Sequence, residues 1–254
     1  MGFGDDLLAT ALVRKARQRT VQPIVVGDGS QIHWSDVFDG NPHISREITP
    51  DCVWVKAFPG KRDYQRRILE DRVEWNDAFR AEPGELYLTD GERDFPGRDF
   101  VYIEPNVKGT VNPNKEWGFD NWQKVVNALD GIHFVQGSGR RLERVSQRDT
   151  RSFRHACGLL SHARLFVGSD GGLHHAAAAL GVPAVVLWGG LVPPRILGYA
   201  SHTNICKAQK FCGSQKSCAH CRAALDAITP DEVAQSILRS ICDARNLRFP
   251  YVGL

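Results

Sequence analysis

Residues 164–190, RLFVGSDGGLHHAAAALGVPAVVLWGG, have the pattern of a complete βαβ unit. A buried strand ends at Gly168, a helix of small residues begins at Gly171 and Gly172, and a second buried strand follows Pro183. Right-handed crossovers place the loops after parallel strands on one edge of the sheet, where ligands bind. Glycines at the start of a helix let a ligand approach the backbone, and the N–H groups and dipole there favour a phosphate. The unit therefore predicts an α/β fold with an anion site at this turn.

Short β-rich runs alternate with longer amphipathic runs over the whole chain, which is typical of a parallel sheet covered by helices on both faces. Strands are predicted at residues 23–26, 52–55, 85–89, 100–103, 132–135, 165–167 and 184–187. Helices are predicted from about Leu7 onward and over residues 61–80, 121–129, 153–163 and 173–180. Thr229 can cap a last helix, whose apolar stripe consists of Val233, Ile237, Leu238 and Ile241. The segment 82–100, dense in glycine, proline and charge, predicts a boundary between domains at residues 1–95 and 96–254.

The composition excludes several classes of protein. The chain has 254 residues, of which 42% are hydrophobic and 24% charged, as in ordinary globular proteins. No run approaches the roughly 18 apolar residues of a membrane span. Lys and Arg total 32 against 29 Asp and Glu, a balance too even for a dedicated nucleic-acid binder. The start, MGFGDDLLAT, has acids where a signal peptide carries positive charge, so we expect a cytoplasmic protein whose seven cysteines are thiols or metal ligands rather than disulfides.

Two side chains of the 164–190 unit have alternative interpretations. Asp170 could bind a ligand, or it could simply cap the helix that follows. His175 lies four residues after Gly171 and therefore on the same side of that helix, one turn deeper. It could face the ligand, or it could be a core histidine with a satisfied hydrogen bond. Spacing alone leaves both alternatives open.

The segment SDGGLHHAAAALGVPAVVLWG resembles the C-terminal signature of glycosyltransferase family 9, the ADP-heptose:lipopolysaccharide heptosyltransferases and their relatives. The matching positions are Asp170, Gly172, His175, Gly181 and Pro183. Gly171 stands where the family usually has Ser or Thr, and His174 where it usually has an apolar residue. Residues 109–129 resemble the donor-site segment through Lys115 and Trp117. Residues 2–17 resemble the N-terminal motif through Gly4, Asp5, Leu7, Leu8 and Thr10.

The resemblance implies a GT-B-like fold, in which two Rossmann-like parallel-sheet domains face a cleft. We expect the N-terminal domain to be reduced, because the family's first strand would precede Gly4 and the N-terminal half is short. The alternatives are that the chain start is truncated or that acceptor recognition has been lost. The implied reaction is an inverting, metal-independent sugar transfer. By resemblance Asp5 is the general base that takes the proton of the acceptor hydroxyl. Its alternative role is to stabilise the dipole at the start of its helix, and a place near the chain terminus predicts that it is loosely held.

The remaining implied residues bind the donor. Lys115 and the amides of Gly171 and Gly172 meet the charge that grows on the leaving diphosphate, although a lysine is otherwise an ordinary surface charge. Thr110 is expected to bond a phosphate. Glu143 is expected near the ribose, or else as an exposed helix residue paired with an arginine. His175 is expected to help hold the donor phosphates or sugar. Asp170 is expected to accept hydrogen bonds from the sugar hydroxyls.

The implied partners are a nucleotide-diphosphate sugar, with heptose as a candidate, and a saccharide acceptor of lipopolysaccharide or another envelope glycan. No further cofactor and no catalytic metal are expected. Basic and aromatic residues within 58–80 could touch an anionic acceptor or the inner membrane, or form a solvated helix surface. The alternative function is a non-catalytic protein that binds a nucleotide or nucleotide sugar. Four cysteines within 16 residues could hold zinc, but the gap between the second and third is unusual for such sites, and thiols without a metal were the preferred interpretation: Cys206, Cys212, Cys218 and Cys221.

Overall fold

The computed structural model describes residues 2–107 and 113–248, with side chains up to residue 243. Within these ranges the strands are β1 (Ile24–Gly27), β2 (Val53–Lys56), β3 (Gln65–Ile68), β4 (Val73–Trp75), β5 (Phe100–Glu104), β6 (Phe134–Gln136), β7 (Ser146–Gln147), β8 (Ala163–Ser169), β9 (Ala184–Trp188) and β10 (His202–Cys206). The α-helices there are α1 (Phe3–Arg17), α2 (Phe119–Ala128), α3 (Phe153–Leu160), α4 (Gly172–Ala179), α5 (Pro194–Leu197), α6 (Ala219–Asp226) and α7 (Pro230–Arg248). None of these helices is both long and apolar enough to cross a bilayer.

A six-stranded parallel sheet, ordered β10-β9-β8-β5-β6-β7, forms the centre of the molecule. Side chains alternate between its faces, as the period of a strand requires. In β5, Phe100 and Tyr102 belong to one buried cluster, and Val101 and Ile103 belong to the other. The first cluster is covered by α1, α3 and α4, and the second by α2, α6 and α7. The central strands are buried on both faces, which explains their nearly continuous apolar sequences.

The βαβ unit of residues 164–190 is observed as β8, α4 and β9, with β8 and β9 paired in parallel. Helix α4 ends before Gly181, whose φ of +69° favours glycine. Because β5 and β8 are parallel neighbours, the turn between β8 and α4 lies at the same carboxyl edge of the sheet as the segment that follows β5.

The N-terminal part contributes a two-stranded parallel sheet, β1-β2, and the long helix α1. Helix α1 packs against α4, and Leu7 and Val26 belong to the same buried cluster as Tyr102 and Trp188 of the central sheet. The apolar core of the N-terminal part is thus continuous with one face of the main sheet. That this part is a reduced acceptor-side domain stays a prediction. The boundary at residues 95 and 96 stays a prediction.

Three sequence expectations were wrong. Residues 61–80 contain the antiparallel hairpin β3-β4 rather than a helix. They lack an apolar stripe of helical period, whereas Val73 and Trp75 alternate with the exposed Glu74 and can pack as a strand. Residues 85–89 form no strand, and Leu238 is 44% exposed although it was assigned to the buried stripe of α7.

The segment 82–99 is fastened by side chains instead of by a sheet. Thr10 Oγ1 accepts a hydrogen bond from the Glu85 N–H at 2.7 Å, and Arg154 of α3 donates to the Tyr87 carbonyl at 2.6 Å. Arg154 also pairs with both carboxylate oxygens of Glu92, at 2.5 and 2.8 Å, and donates to the Asp36 carbonyl at 2.9 Å. This arginine therefore bonds the connecting segment to both halves of the chain.

Candidate active site

At the turn between β8 and α4, the side chain of a histidine in the first turn of the helix accepts a hydrogen bond from the N-cap backbone. Gly171 is the N-cap residue, and its N–H donates to Nδ1 of His174 at 2.8 Å. The other ring nitrogen of His174 contacts the Leu197 carbonyl at 3.1 Å. Asp170 is therefore not the cap of this helix, and its carboxylate is available for another partner.

That partner is Lys115. This lysine ends a short 3₁₀ turn after β5, and its Nζ lies 2.6 Å from Oδ2 of Asp170. The Asp170 side chain is 4% exposed and the Lys115 side chain 24%, so the carboxylate is buried with its counter-charge beside it. A buried charge without such a partner would be costly. The structure thus brings Lys115 to the turn of residues 168–172, as the sequence predicted.

His175 lies in α4, one turn after Gly171. It is 5% exposed, and Nδ1 lies 2.6 Å from the hydroxyl of Tyr199. Burial, followed by the charges of His174 and Lys115, lowers the pKa of His175 well below its usual value, so the ring is neutral at neutral pH. These contacts are those of a core histidine with a satisfied hydrogen bond, one of the two alternatives left open by the sequence.

Helix α1 approaches this region through Gly4. A Cβ at Gly4 would lie 2.7 Å from Cδ2 of His175 and 3.6 Å from the Cα of Gly172. Only a residue without a side chain permits this distance. The preceding residue, Phe3, stacks on Phe153 of α3 with ring centroids 4.4 Å apart, so the start of α1 also packs against α3.

Asp5 is held firmly, in contrast to the expectation of a loosely held terminus. Its carboxylate accepts hydrogen bonds from Arg62 Nε at 3.0 Å, from the Tyr64 hydroxyl at 2.5 Å and from the Gly2 N–H at 3.1 Å. Burial, and then the charge of Asp5, raise the pKa of Tyr64, which therefore keeps its proton and donates it in this bond. Asp5 directly follows Gly4, which packs against His175 and Gly172 of α4.

The other predicted donor residues are less closely associated. Thr110 lies outside the described residues. Glu143 is exposed in the loop after β6, not in a helix, and its backbone N–H donates to the side chain of Gln123 at 2.8 Å. The structure does not place Glu143 in contact with Lys115 or Asp170 among the residues it describes.

Several residues of the site were not predicted. Arg62 and Tyr64 were considered only as members of a basic and aromatic stretch. Their contacts with Asp5 could not be predicted, because 57 and 59 residues separate them from it in the sequence. Glu104 ends β5 opposite Gly168, and burial raises its pKa to about 7. The buried hydroxyl of Ser169 has no hydrogen-bond partner in the described ranges 2–107 and 113–243.

The family comparison agrees with the sequence signature. Residues 150–228 match the model described as glycosyltransferase family 9 (heptosyltransferase). This segment includes Asp170, Gly171, Gly172 and His175, whereas Asp5 and Lys115 lie outside it. No curated protein matches the chain.

Solved structures show the same architecture. A glycosyl transferase family 9 protein from Veillonella parvula DSM 2008 is 12% identical with a TM-score of 0.51, and the match covers 92% of this chain and 78% of that one. The iron-containing dodecameric glycosyltransferase TibC from enterotoxigenic E. coli H10407 is 17% identical with a TM-score of 0.51, over 65% of this chain and 50% of that one. The ADP-heptose lps heptosyltransferase II of E. coli is 18% identical with a TM-score of 0.49, over 70% of this chain and 56% of that one.

The fold is accordingly that of the GT-B-type glycosyltransferases, built here on one six-stranded parallel sheet and a reduced N-terminal part. Within that class, the resemblance to glycosyltransferase family 9 is confirmed for residues 150–228. The chain spans about half the length of the two E. coli proteins it resembles.

Proposed function

We propose that the protein is a glycosyltransferase that moves a sugar from a nucleoside-diphosphate sugar to a saccharide acceptor. The observation that carries the proposal is the meeting of Lys115 with the turn of residues 168–172 at the start of α4. A cation beside the N-terminus of a helix is an arrangement that binds a diphosphate and stabilises it as a leaving group. The resemblance to family 9 favours an ADP-activated heptose as the donor and lipopolysaccharide or another envelope glycan as the acceptor.

The donor half of the mechanism follows from the charges. Asp170 holds Lys115 in place, and a bound diphosphate would share this lysine with the carboxylate. The Gly171 N–H is already bonded to His174 Nδ1, so the uncharged contacts would come from the Gly172 amide and the neutral ring of His175. The site therefore does not carry excess positive charge before the donor binds. Negative charge develops on the leaving diphosphate as the glycosidic bond breaks, and Lys115 would bind it more strongly at that moment.

Asp5 is the proposed general base. Its carboxylate would take the proton of the acceptor hydroxyl as that oxygen attacks the anomeric carbon from the face opposite the leaving group, which inverts the configuration. Arg62 and Tyr64 fix the rotamer of Asp5 through two bonds of 3.0 and 2.5 Å. No step of this proposal needs a metal ion or a further cofactor.

The surface beside Asp5 suits an anionic acceptor. A small pocket there has apolar walls from α1 together with basic, acidic and aromatic groups: Lys56, Lys61, Arg62, Asp63, Tyr64 and Phe79. Arg62 pairs with Asp5 and Lys61 with Asp63. Positive side chains next to the general base would attract a phosphorylated or acidic saccharide. We place the reaction in the cytoplasm, with peripheral contact to the inner membrane where a lipid-linked acceptor would lie.

Transfer from a radiolabelled donor panel of ADP-, UDP-, GDP- and dTDP-sugars to envelope saccharides tests the proposal. The variant Asp5→Asn keeps the shape of the carboxylate and should lower turnover by about 10²–10⁴-fold, the usual contribution of a general base. Its affinity for the nucleoside diphosphate should stay unchanged. The matched control is Asp51→Asn, since Asp51 is exposed on the surface. Full turnover in Asp5→Asn would refute the assignment of the base.

A non-catalytic protein that binds a nucleotide or nucleotide sugar is the second candidate, and it is favoured by the three hydrogen bonds that already occupy the Asp5 carboxylate. Nucleotide binding without transfer to any acceptor would support this second candidate over the first.

A further inference from the structure

A group of metal-ligand side chains lies apart from the proposed transfer site. Cys212 is in the loop after β10, and Cys218, His220 and Cys221 form the start of α6. One potential ligand atom from each of the four lies within 4.8 Å of all the others. The Sγ of Cys212 is 3.9 Å from that of Cys218 and 3.3 Å from that of Cys221.

These separations suit a tetrahedral metal ion. Zinc bonds to sulfur at about 2.3 Å, which puts two tetrahedral thiolate ligands about 3.8 Å apart. Four protein ligands would leave no open coordination position, as in structural rather than catalytic zinc sites. We propose that Cys212, Cys218, His220 and Cys221 bind one structural divalent transition metal, Zn²⁺ in the first place.

Packing alone does not account for the fourth member. Cys221 is fully buried and could serve as a small apolar residue, but His220 is exposed and contributes nothing to a core. A Cβ at Gly190 would lie 2.6 Å from Nδ1 of His220, so the main chain at this glycine makes room for the ring. A single disulfide would use two of the three thiols and leave the imidazole without a function.

The spacing of the cysteines in the sequence did not indicate this group of four ligands. The candidate zinc ligands in the sequence were four cysteines that included Cys206, which lies within β10 at the edge of the sheet and is not in the cluster. The fourth ligand is instead a histidine inside the Cys-x-x-Cys segment, CAHC. The long gap after Cys212 is closed by the fold rather than by a short knuckle.

The loop that the metal would close reaches the proposed donor site. The side-chain amide of Asn114 donates to the carbonyls of Ser214 and Lys216 at 2.9 and 2.7 Å, and its Oδ1 accepts from the N–H of Cys218 at 2.9 Å. Asn114 directly precedes Lys115, whose Nζ pairs with Asp170. A metal that fixes the loop therefore holds the backbone that carries Lys115, a consequence that rests on the proposed function, whereas metal binding itself does not.

Metal content of the full-length chain tests the site. Protein purified under reducing conditions without chelators, or refilled with Zn²⁺, should contain about one equivalent of metal by inductively coupled plasma mass spectrometry. Zinc or iron at that level supports the site and identifies the ion, and less than about a tenth of an equivalent after refilling overturns it.

Variants locate the ion. Cys212→Ser, Cys218→Ser and His220→Ala should each lower the retained metal at least several-fold under competition with a chelator. The matched controls Cys206→Ser and Cys242→Ser should keep one equivalent, since neither residue is in the cluster. If a cysteine variant fails to fold, His220→Ala and the visible spectrum of Co²⁺-substituted wild-type protein decide the matter. Sulfur-to-cobalt charge-transfer bands support the site, and their absence overturns it.

The link to the donor site has a separate readout. In the wild-type protein, removal of the metal should weaken binding of a nucleoside diphosphate by several-fold without changing the secondary structure seen by circular dichroism. Unchanged affinity after complete removal would overturn the link while leaving the metal site itself intact.

Discussion

Replacement of Gly4 by alanine tests whether the close approach of α1 to α4 is as tight as the structure indicates. Gly4 lies in the first turn of α1, and in an unconstrained helix the change to alanine would stabilise the protein by up to about 1 kcal/mol. Here the new methyl group would lie 2.7 Å from Cδ2 of His175. The ring cannot easily move, because it is buried and its Nδ1 is bonded to the Tyr199 hydroxyl at 2.6 Å.

The steric cost of such overpacking is about 1–3 kcal/mol. After the gain in helix propensity, we expect Gly4→Ala to lower the free energy of unfolding by about 1 kcal/mol, which corresponds to a fall in Tm of roughly 2–4 °C for a chain of this size. Differential scanning calorimetry measures this shift. Gly2→Ala is the matched control, since a Cβ there meets nothing closer than 3.9 Å. A rise in Tm for Gly4→Ala would refute the close contact, because propensity alone would then decide the sign.

Two further predictions concern stability. Burial lowers the pKa of His174 to about 4 and that of His202 to about 3, so below about pH 6.5 the unfolded chain binds protons that the folded chain does not. Urea unfolding should therefore show a loss on the order of 2 kcal/mol per histidine between pH 7.5 and 5, and His202→Asn should remove part of it; a flat profile would contradict this account. Replacement of the buried Arg154 by methionine leaves Glu92 without its partner and should cost about 3 kcal/mol or more, while the exposed neighbour Arg151→Met should have little effect in the same assay.

Local patterns predicted four of the six strands of the central sheet, β5, β6, β8 and β9, and missed the edge strands β7 and β10. The unit β8-α4-β9 could be predicted because its buried strands, small-residue helix and terminating Gly181 are each specified within a few residues. Lys115 was expected at this turn only from the resemblance to the family's donor-site segment. Its observed place agrees with the rule that the segments after parallel strands share one edge of the sheet.

Contacts between distant residues could not be predicted in this way. Arg62 and Tyr64, which bond to Asp5, directly precede the hairpin β3-β4 in a charge-rich segment that was predicted to be a helix. For the same reason, nothing local in the sequence indicated that Arg154 would bond the connecting segment 82–99 to the rest of the chain.

The central claim is that Lys115 and the turn of residues 168–172 bind a nucleoside diphosphate. Isothermal titration calorimetry with ADP tests this claim most directly. Loss of a charge-assisted hydrogen bond costs about 1.5–3 kcal/mol, so Lys115→Met should weaken the affinity roughly 10–100-fold. The control is Lys124→Met, which replaces an exposed lysine of α2. The double variant Lys115→Met with Asp170→Asn removes the unpaired buried charge, and it should recover stability but not affinity. The claim predicts ADP binding that depends on Lys115 but not on Lys124. Wild-type protein that binds none of ADP, UDP, GDP and dTDP, or equal ADP affinity in Lys115→Met, would contradict it.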